Sequence, residues 1–403
     1  MLSQRAHGKN NPTCRRQPSY FKEPYVIICL LPDSMQRIRV FLLRQHLAAN
    51  LICNKNERRN MTIGVLLINT GTPAAPTIEA IKPYLSEFLM DPYIIGAPYP
   101  IRKAIVSHIV SKRPEHTVEN YRAFWTPAGS PFLLTSKQQA HLLQEALDSS
   151  SENRSYHVEL AMRYGNPSIS SGLEALRQED CTDIVLLPLY PQNVKVCAGS
   201  CFKEARKQLK KLGKQGWNPR IHEIQNFHDI PTYRNALSEQ INRSWSHTPG
   251  SKLIVSFHST LLSDIKKDPT YLNQCRQTRE WIANDLGLPS QDVILSFQSR
   301  FDSRAWLSPF TEQVVKDQLD QGASDICVVC PGFVADNTET TIEINRDLRN
   351  YVENASAFCG KTEHSEAASD PSERRATFTY VPALGCNPGL IEALRTAVTN
   401  ATD

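Results

Sequence analysis

From Met61 onward the sequence is a succession of eight short apolar runs, each ending in turn-forming residues. Most are followed by a stretch of helical period. The runs fall at 63–69, 158–163, 183–189 and 220–224, then at 252–257, 292–297, 325–330 and 377–381. Helical spacing of apolar residues marks 78–90, 135–147 and 200–212 in the first set, and 271–286 and 310–322 in the second. Strands rich in Val, Ile and Leu without polar alternation are buried on both faces, as parallel strands are, and helices supply the crossovers that such strands require. The expected fold class is therefore α/β, with two Rossmann-like domains, each a four-stranded parallel sheet flanked by helices. A chain of 403 residues is long enough for two cores. The expected divisions are a basic extension over 1–60, domains over 61–235 and 236–385 with a hinge near 230–250, and a C-terminal helix within 386–403 packing back.

The formal charge of +4 is unevenly spread. Residues 1–60 hold 11 Lys and Arg against Glu23, Asp33 and Glu57, which leaves −4 for the rest. A mildly acidic body argues against a nucleic-acid partner. The 11 cysteines lack the spacing of a secreted disulfide framework, which points to a reducing compartment and a cytoplasmic location. Cys327 and Cys330 stand three apart in one apolar strand, so they point to opposite faces and cannot share a metal. No run approaches the roughly 18 apolar residues of a membrane span. The foldable pattern begins at Met61, so residues 1–60 are expected to be an upstream extension of the reading frame, although the basic amphipathic stretch 38–52 is also compatible with a transit sequence or surface helix. Residues 360–377 are hydrophilic and aperiodic, and are expected to form a surface loop.

Two strand ends concentrate reactive groups. One run, Val255-Ser256-Phe257, ends at His258, and another passes through Cys330-Pro331-Gly332 toward Glu339. Open α/β sheets bind ligands beyond the carboxyl ends of their strands, so this imidazole and this carboxylate belong to one rim. Glu339, Glu343 and Asp347 are spaced by four, which on an α-helix makes a single acidic stripe. Like charges stacked this way repel unless a cation sits among them, and a divalent cation is the natural occupant. The loop Asn69-Thr70-Gly71-Thr72-Pro73 lacks the spacing and the Lys of a phosphate-binding loop.

Further segments occur in order: Gly129-Ser130-Pro131, Met162-Arg163-Tyr164-Gly165-Asn166-Pro167, Pro188-Leu189-Tyr190-Pro191-Gln192, and Gln298-Ser299-Arg300-Phe301 with Trp306-Leu307. Together with the two rim segments they resemble the ferrochelatase family, from about residue 61 to the C-terminal helix. The resemblance implies chelatase-type domains around a porphyrin cleft. It implies an enzyme that inserts Fe²⁺ into protoporphyrin IX to give protohaem, with Fe²⁺ as a substrate and no permanently bound cofactor. His258 and Glu339 match the family's catalytic pair, and His258, Glu339, Glu343 and Asp347 its metal line. Arg163, Tyr164, Arg300 and Trp306 match pocket residues. Ile94, Ile95 and Pro98 lie in the apolar lip region, with Lys112 and Arg113 nearby as partners for propionates; peripheral membrane contact is compatible with such a lip. Only Cys386 lies beyond Cys359, so no C-terminal iron–sulfur cluster is expected.

The chemistry accounts for the residue types. A free-base porphyrin carries two inner N–H protons that must leave as the metal enters, so the site needs a proton acceptor near the ring centre. Neutral imidazole serves as base or ligand, and carboxylates hold a cation while it sheds water. Sequence leaves open which of His258 and Glu339 does which. After Gln192 the family's hydroxyl-rich stretch is replaced by Asn193-Val194-Lys195-Val196-Cys197-Ala198-Gly199, Asp302 stands in place of a Gly, and Asn337 where Cys or His is common. These departures keep two alternatives open: a non-catalytic tetrapyrrole-binding relative, and a chelatase for another tetrapyrrole or metal.

A chain beginning at Met61 is expected to fold and to metallate porphyrin as the full chain does. Insolubility or loss of turnover in that shortened chain would make the basic segment an integral part of the protein.

Overall fold

The strand β1 (Met61–Gly71) is solvent-free from Ile63 to Ile68 because it has a neighbour on each side and helices on both faces. A computed structural model describes residues 61–112, 114–149, 154–358 and 376–403; segment 1–60 and most of 360–377 lie outside them. β1 pairs in parallel with β2 (Arg154–Tyr164) and β3 (Asp183–Pro188), placing Leu66 opposite Glu159 on one side and Leu186 on the other. β4 (Arg220–Glu223) completes the sheet in the order β2-β1-β3-β4. The second sheet contains β5 (Ser251–His258), β6 (Val293–Gln298), β7 (Asp325–Val329) and β8 (Thr377–Val381), again all parallel, in the equivalent order β6-β5-β7-β8. The two four-stranded parallel sheets are the expected architecture, with ends that differ by a few residues.

The first half carries α1 (Ile78–Leu89), α2 (Tyr99–Lys112), α3 (Pro114–Phe124), α4 (Pro131–Asp148), α5 (Ile169–Gln178), α6 (Ser200–Gly213) and α7 (Pro231–Ser244). The second carries α8 (Leu262–Ile265), α9 (Thr270–Asp285), α10 (Thr311–Asp320), α11 (Arg349–Phe358) and α12 (Pro388–Thr402). Two further segments, Lys195–Gly199 and Glu339–Leu348, are π-helical. The second replaces the expected α-helix over the acidic residues with a wider winding. Its backbone bonds run from i to i+5, and with a little over four residues to the turn a spacing of four still falls near one face. The helix α2 was not expected: it buries only Val106, so it has no apolar period to reveal it.

Leu143 and Leu147 of α4, Tyr233, Leu237 and Ile241 of α7, and Leu390, Leu394 and Val398 of α12 join residues of both sheets in one apolar core. α12 packs on α4 and α7, so the chain's last helix is strapped across the first half. Gln139 of α4 donates to the carbonyls of Val334 (3.1 Å) and Gly385 (2.7 Å), and Tyr233 to that of Pro331 (2.7 Å), tying the halves beneath the rim. Residue 235 lies within α7, and residues 60–403 form one compact unit.

At the rim the chain leaves β1 through Gly71, whose φ of 113° is open to glycine but costly for other residues. A Cβ there would stand 1.8 Å from the Tyr164 carbonyl oxygen, which is backbone and cannot swing aside. Gly71→Ala is expected to lower the unfolding free energy by at least about 2 kcal/mol, seen as a lower urea midpoint. An unchanged midpoint would mean that the loop relaxes around the methyl group.

Candidate active site

Strand order fixes where the cleft opens. In β6-β5-β7-β8 the chain leaves β5 toward one edge and β7 toward the other, so a crevice forms between their carboxyl ends. His258 ends β5, and the loop after β7 leads into Glu339. In the first sheet the equivalent ends supply Thr70, Gly71 and Thr72 at the end of β1 and residues of the segment 190–196 after β3. The two crevices share one cleft of about 550 Å³, within the range of small-molecule sites. Tyr84, Phe88, Tyr164 and Tyr190 line one side, and His258, Arg300, Trp306, Glu339 and Glu343 the other.

His258 Nε2 stands 3.7 Å from Glu339 Oε2. Its Nδ1 is 2.5 Å from the Ser259 carbonyl oxygen, which can only accept, so Nδ1 carries the hydrogen. In its neutral form the ring therefore presents the Nε2 lone pair toward Glu339. Tyr271 donates to the His258 carbonyl at 2.7 Å and anchors the strand end. Glu339 is positioned by Asn337, whose side-chain oxygen accepts the amide N–H groups of Glu339 (2.8 Å) and Thr340 (3.1 Å). Glu339 Oε2 is buried and accepts no hydrogen bond among the described residues. A buried carboxylate oxygen without a donor is costly, and a proton or a cation relieves that cost.

Glu343 is one π-turn further on. Its carboxylate accepts the Ser299 N–H (2.9 Å) and hydroxyl (2.6 Å). Burial pushes Glu343 up to about 7; the bonds from Ser299 oppose the rise, and the Glu339 charge adds to it. Ser299 has a φ of 62°, a rare conformation for a non-glycine residue, and this turn aims both of its donors at Glu343. Asp347 does not line the cleft; it is paired with Arg346 at 2.7 Å and is half exposed.

Arg163 and Tyr164 line the opposite wall, but their polar ends are engaged. Asp91 accepts from Arg163 (2.5 Å), Tyr164 (3.0 Å), Ser200 and the Tyr93 N–H (2.8 Å). Burial would raise the Asp91 carboxyl, yet the Ser200 and Tyr93 hydrogen bonds and the Arg163 charge hold it below its ordinary range. Ile94 lines the cleft, while Ile95 packs with Leu89 and Val106 in a small separate core. Arg300 stacks 4.9 Å above the Phe310 ring, and Trp306 donates to Asp302 at 3.0 Å; both line the cleft. Lys112 ends α2 and is exposed outside the cleft, and Arg113 lies outside the described residues.

Sequence reasoning missed Asp91, Gln298 and Tyr121. Gln298 accepts from Ser256 (2.7 Å) and Cys330 (3.2 Å) and donates to the Glu339 carbonyl (3.4 Å), so it couples β5, β6 and the π-helix. Tyr121 on α3 bonds Tyr84 and Thr338 beside Glu339, and burial pushes its phenol up to about 12. Gln298 stood in the quoted Gln-Ser-Arg-Phe segment, whereas a lone Asp after a helix and a Tyr in a weakly periodic one carry no local signal.

A family model described as Ferrochelatase matches residues 62–402. The chain is similar to the ferrochelatase of Marinobacter nauticus, 35% identical over 347 residues, covering 86% of this chain and 88% of that protein. It is similar to that of an Azoarcus species, 34% identical over 339 residues, covering 83% and 86%. Among solved structures, SirB from Bacillus subtilis with Fe³⁺ matches at a TM-score of 0.48 and 12% identity, covering 85% of this chain and 96% of that one. With matched residues running from β1 to α12, the chain belongs to the ferrochelatase family.

Proposed function

We propose that the chain is a ferrochelatase that inserts Fe²⁺ into protoporphyrin IX to form protohaem, working in the cytoplasm. The observation that carries this reading is the His258–Glu339 pair, an imidazole nitrogen and an unpartnered carboxylate oxygen 3.7 Å apart inside an aromatic-walled cleft. Metallation exchanges two N–H protons for one divalent cation, so acceptors must face the macrocycle where both events occur. Between them, His258 and Glu339 take up pyrrole protons and hold the incoming iron. Glu343, with an affinity for protons near neutrality, is placed to receive one and pass it on. Arg163 and Tyr164, locked by Asp91, form a stiff wall against which binding energy can bend the ring. No electron changes hands in this exchange, so the reaction itself requires no resident redox cofactor.

Anaerobic mixing of protein, protoporphyrin IX and Fe²⁺ tests the reading through loss of porphyrin fluorescence. Turnover is expected, and Glu339→Gln should lower it at least about 100-fold. Near-normal turnover in Glu339→Gln would remove this acid from the mechanism, and tight porphyrin binding without turnover would favour a non-catalytic relative.

We also propose peripheral membrane contact through α2. No helix among the described residues is long and apolar enough to cross a membrane. α2 exposes Tyr99, Ile101 and Ile105, carries Arg102, Lys103 and Lys112, and contains no acidic residue. Such a face suits the boundary of an anionic bilayer. The protein should cosediment with vesicles containing anionic lipid, and Ile101→Glu should reduce the bound fraction. Equal binding by both proteins would exclude this helix as the contact.

A further inference from the structure

α9 belongs to the second half by its packing: Cys275 and Ile282 are solvent-free in the common core, and Arg279 donates from Nε to the Val293 carbonyl of β6 at 2.8 Å. Tyr271, Gln274 and Thr278 are spaced i, i+3 and i+7, so they share one face of this helix. Each makes a hydrogen bond beside the cleft. Tyr271 donates to the His258 carbonyl at 2.7 Å, the Gln274 side-chain oxygen accepts the Asn193 N–H at 2.6 Å, and the Thr278 hydroxyl accepts from the Gln192 side chain at 3.2 Å. Gln192 and Asn193 belong to the first half and lead into Val194 and Val196, which line the cleft. His258 stands where support is thin, because β7 pairs with β5 only as far as Val255, and the last residues of β5 have β6 as their one strand neighbour among the described residues.

We propose that Tyr271 and Gln274 are positioning residues which, through α9, fix the separation between the His258 imidazole and the first-half segment 192–196 that walls the cleft. This rests on the porphyrin reading above. Neither residue exchanges a proton or holds iron in this role. Tyr271 fixes the carbonyl of His258, and with it the backbone from which the ring hangs; Gln274 fixes the backbone of the wall. The two attachments are three residues apart, about 4.5 Å of helix rise, so they move as one body. Thr278 and Gln192, both buried, repeat the attachment one turn further along. A macrocycle lying against that wall then meets His258 Nε2 at one separation, and an error of about 1 Å in such a placement can cost about 100-fold in rate.

The test is steady-state metallation of protoporphyrin IX by the full chain, by Tyr271→Phe, Gln274→Leu and Gln274→Glu, and by the variant combining Tyr271→Phe with Gln274→Leu, with the His258 imidazole followed by NMR of histidine-labelled protein. Tyr271→Phe and Gln274→Leu should each lower kcat about ten-fold while the KM for porphyrin changes by less than about two-fold. Gln274→Glu keeps an acceptor for the Asn193 N–H and should stay within about two-fold of the unaltered kcat. The combined variant should lose little more than either alone, as parts of one strut do. The His258 resonances should move in Gln274→Leu, although Gln274 is bonded to the other half. A raised KM with unchanged kcat would mean that these side chains only contact substrate. Equal loss of kcat in Gln274→Glu and Gln274→Leu, or losses that multiply in the combined variant, would mean that no shared strut exists; each of these results overturns the proposal. If the unaltered chain metallates no porphyrin, the ferrochelatase reading itself fails, and the NMR still decides the positioning: His258 resonances unmoved in Gln274→Leu overturn it.

Discussion

Parallel strands cannot be joined by tight turns, and every feature of this molecule follows from that constraint. Each connection must climb over a sheet face as a helix, which covers the faces and leaves the strand ends open to a ligand. Two sheets of equivalent strand order each develop a crevice beside their first strand, β1 in one and β5 in the other. The chain then needs few residues to make a site. His258 simply ends one strand, and Glu339 starts the helix reached from its neighbour.

Around these two groups the electrostatics are deliberately incomplete. Asp91 is satisfied by four donors and serves as a fixed anchor for the wall. Glu343 is half satisfied, with Ser299 supplying two bonds that do not fully offset burial. Glu339 Oε2 accepts no hydrogen bond among the described residues. The order runs from anchored to vacant, from Asp91 through Glu343 to Glu339, so the unmet demand for a hydrogen-bond donor is greatest at Glu339.

Much of this was legible in the sequence because it depends on local pattern. The run Val65-Leu66-Leu67-Ile68 can only be a doubly covered strand, and His258 had to stand at a strand end. The π-helical winding over Glu339–Leu348 was not legible, since nothing in a four-residue spacing distinguishes it from an α-helix; nor was the position of Asp347, which pairs with Arg346 outside the cleft. The Asp91 anchor was equally hidden, because its partners Arg163, Tyr164 and Ser200 are contributed by segments 72 to 109 residues away. Ile95 was misplaced for a related reason: adjacent residues in a turn can face different cores, and only Ile94 faces the cleft.

The hydrogen bond from His258 Nδ1 to the carbonyl of the next residue has a consequence for traffic through the site. An imidazole can act as a wire, taking charge at one nitrogen and shedding it from the other. Here the rear nitrogen faces a carbonyl oxygen that cannot accept the hydrogen outright, so the ring is a cul-de-sac. On the proposed reading, a proton taken up at Nε2 leaves again from Nε2, on the face where it came in. Glu339 Oε2, 3.7 Å from Nε2, is on that reading the neighbouring group to which such a proton can pass.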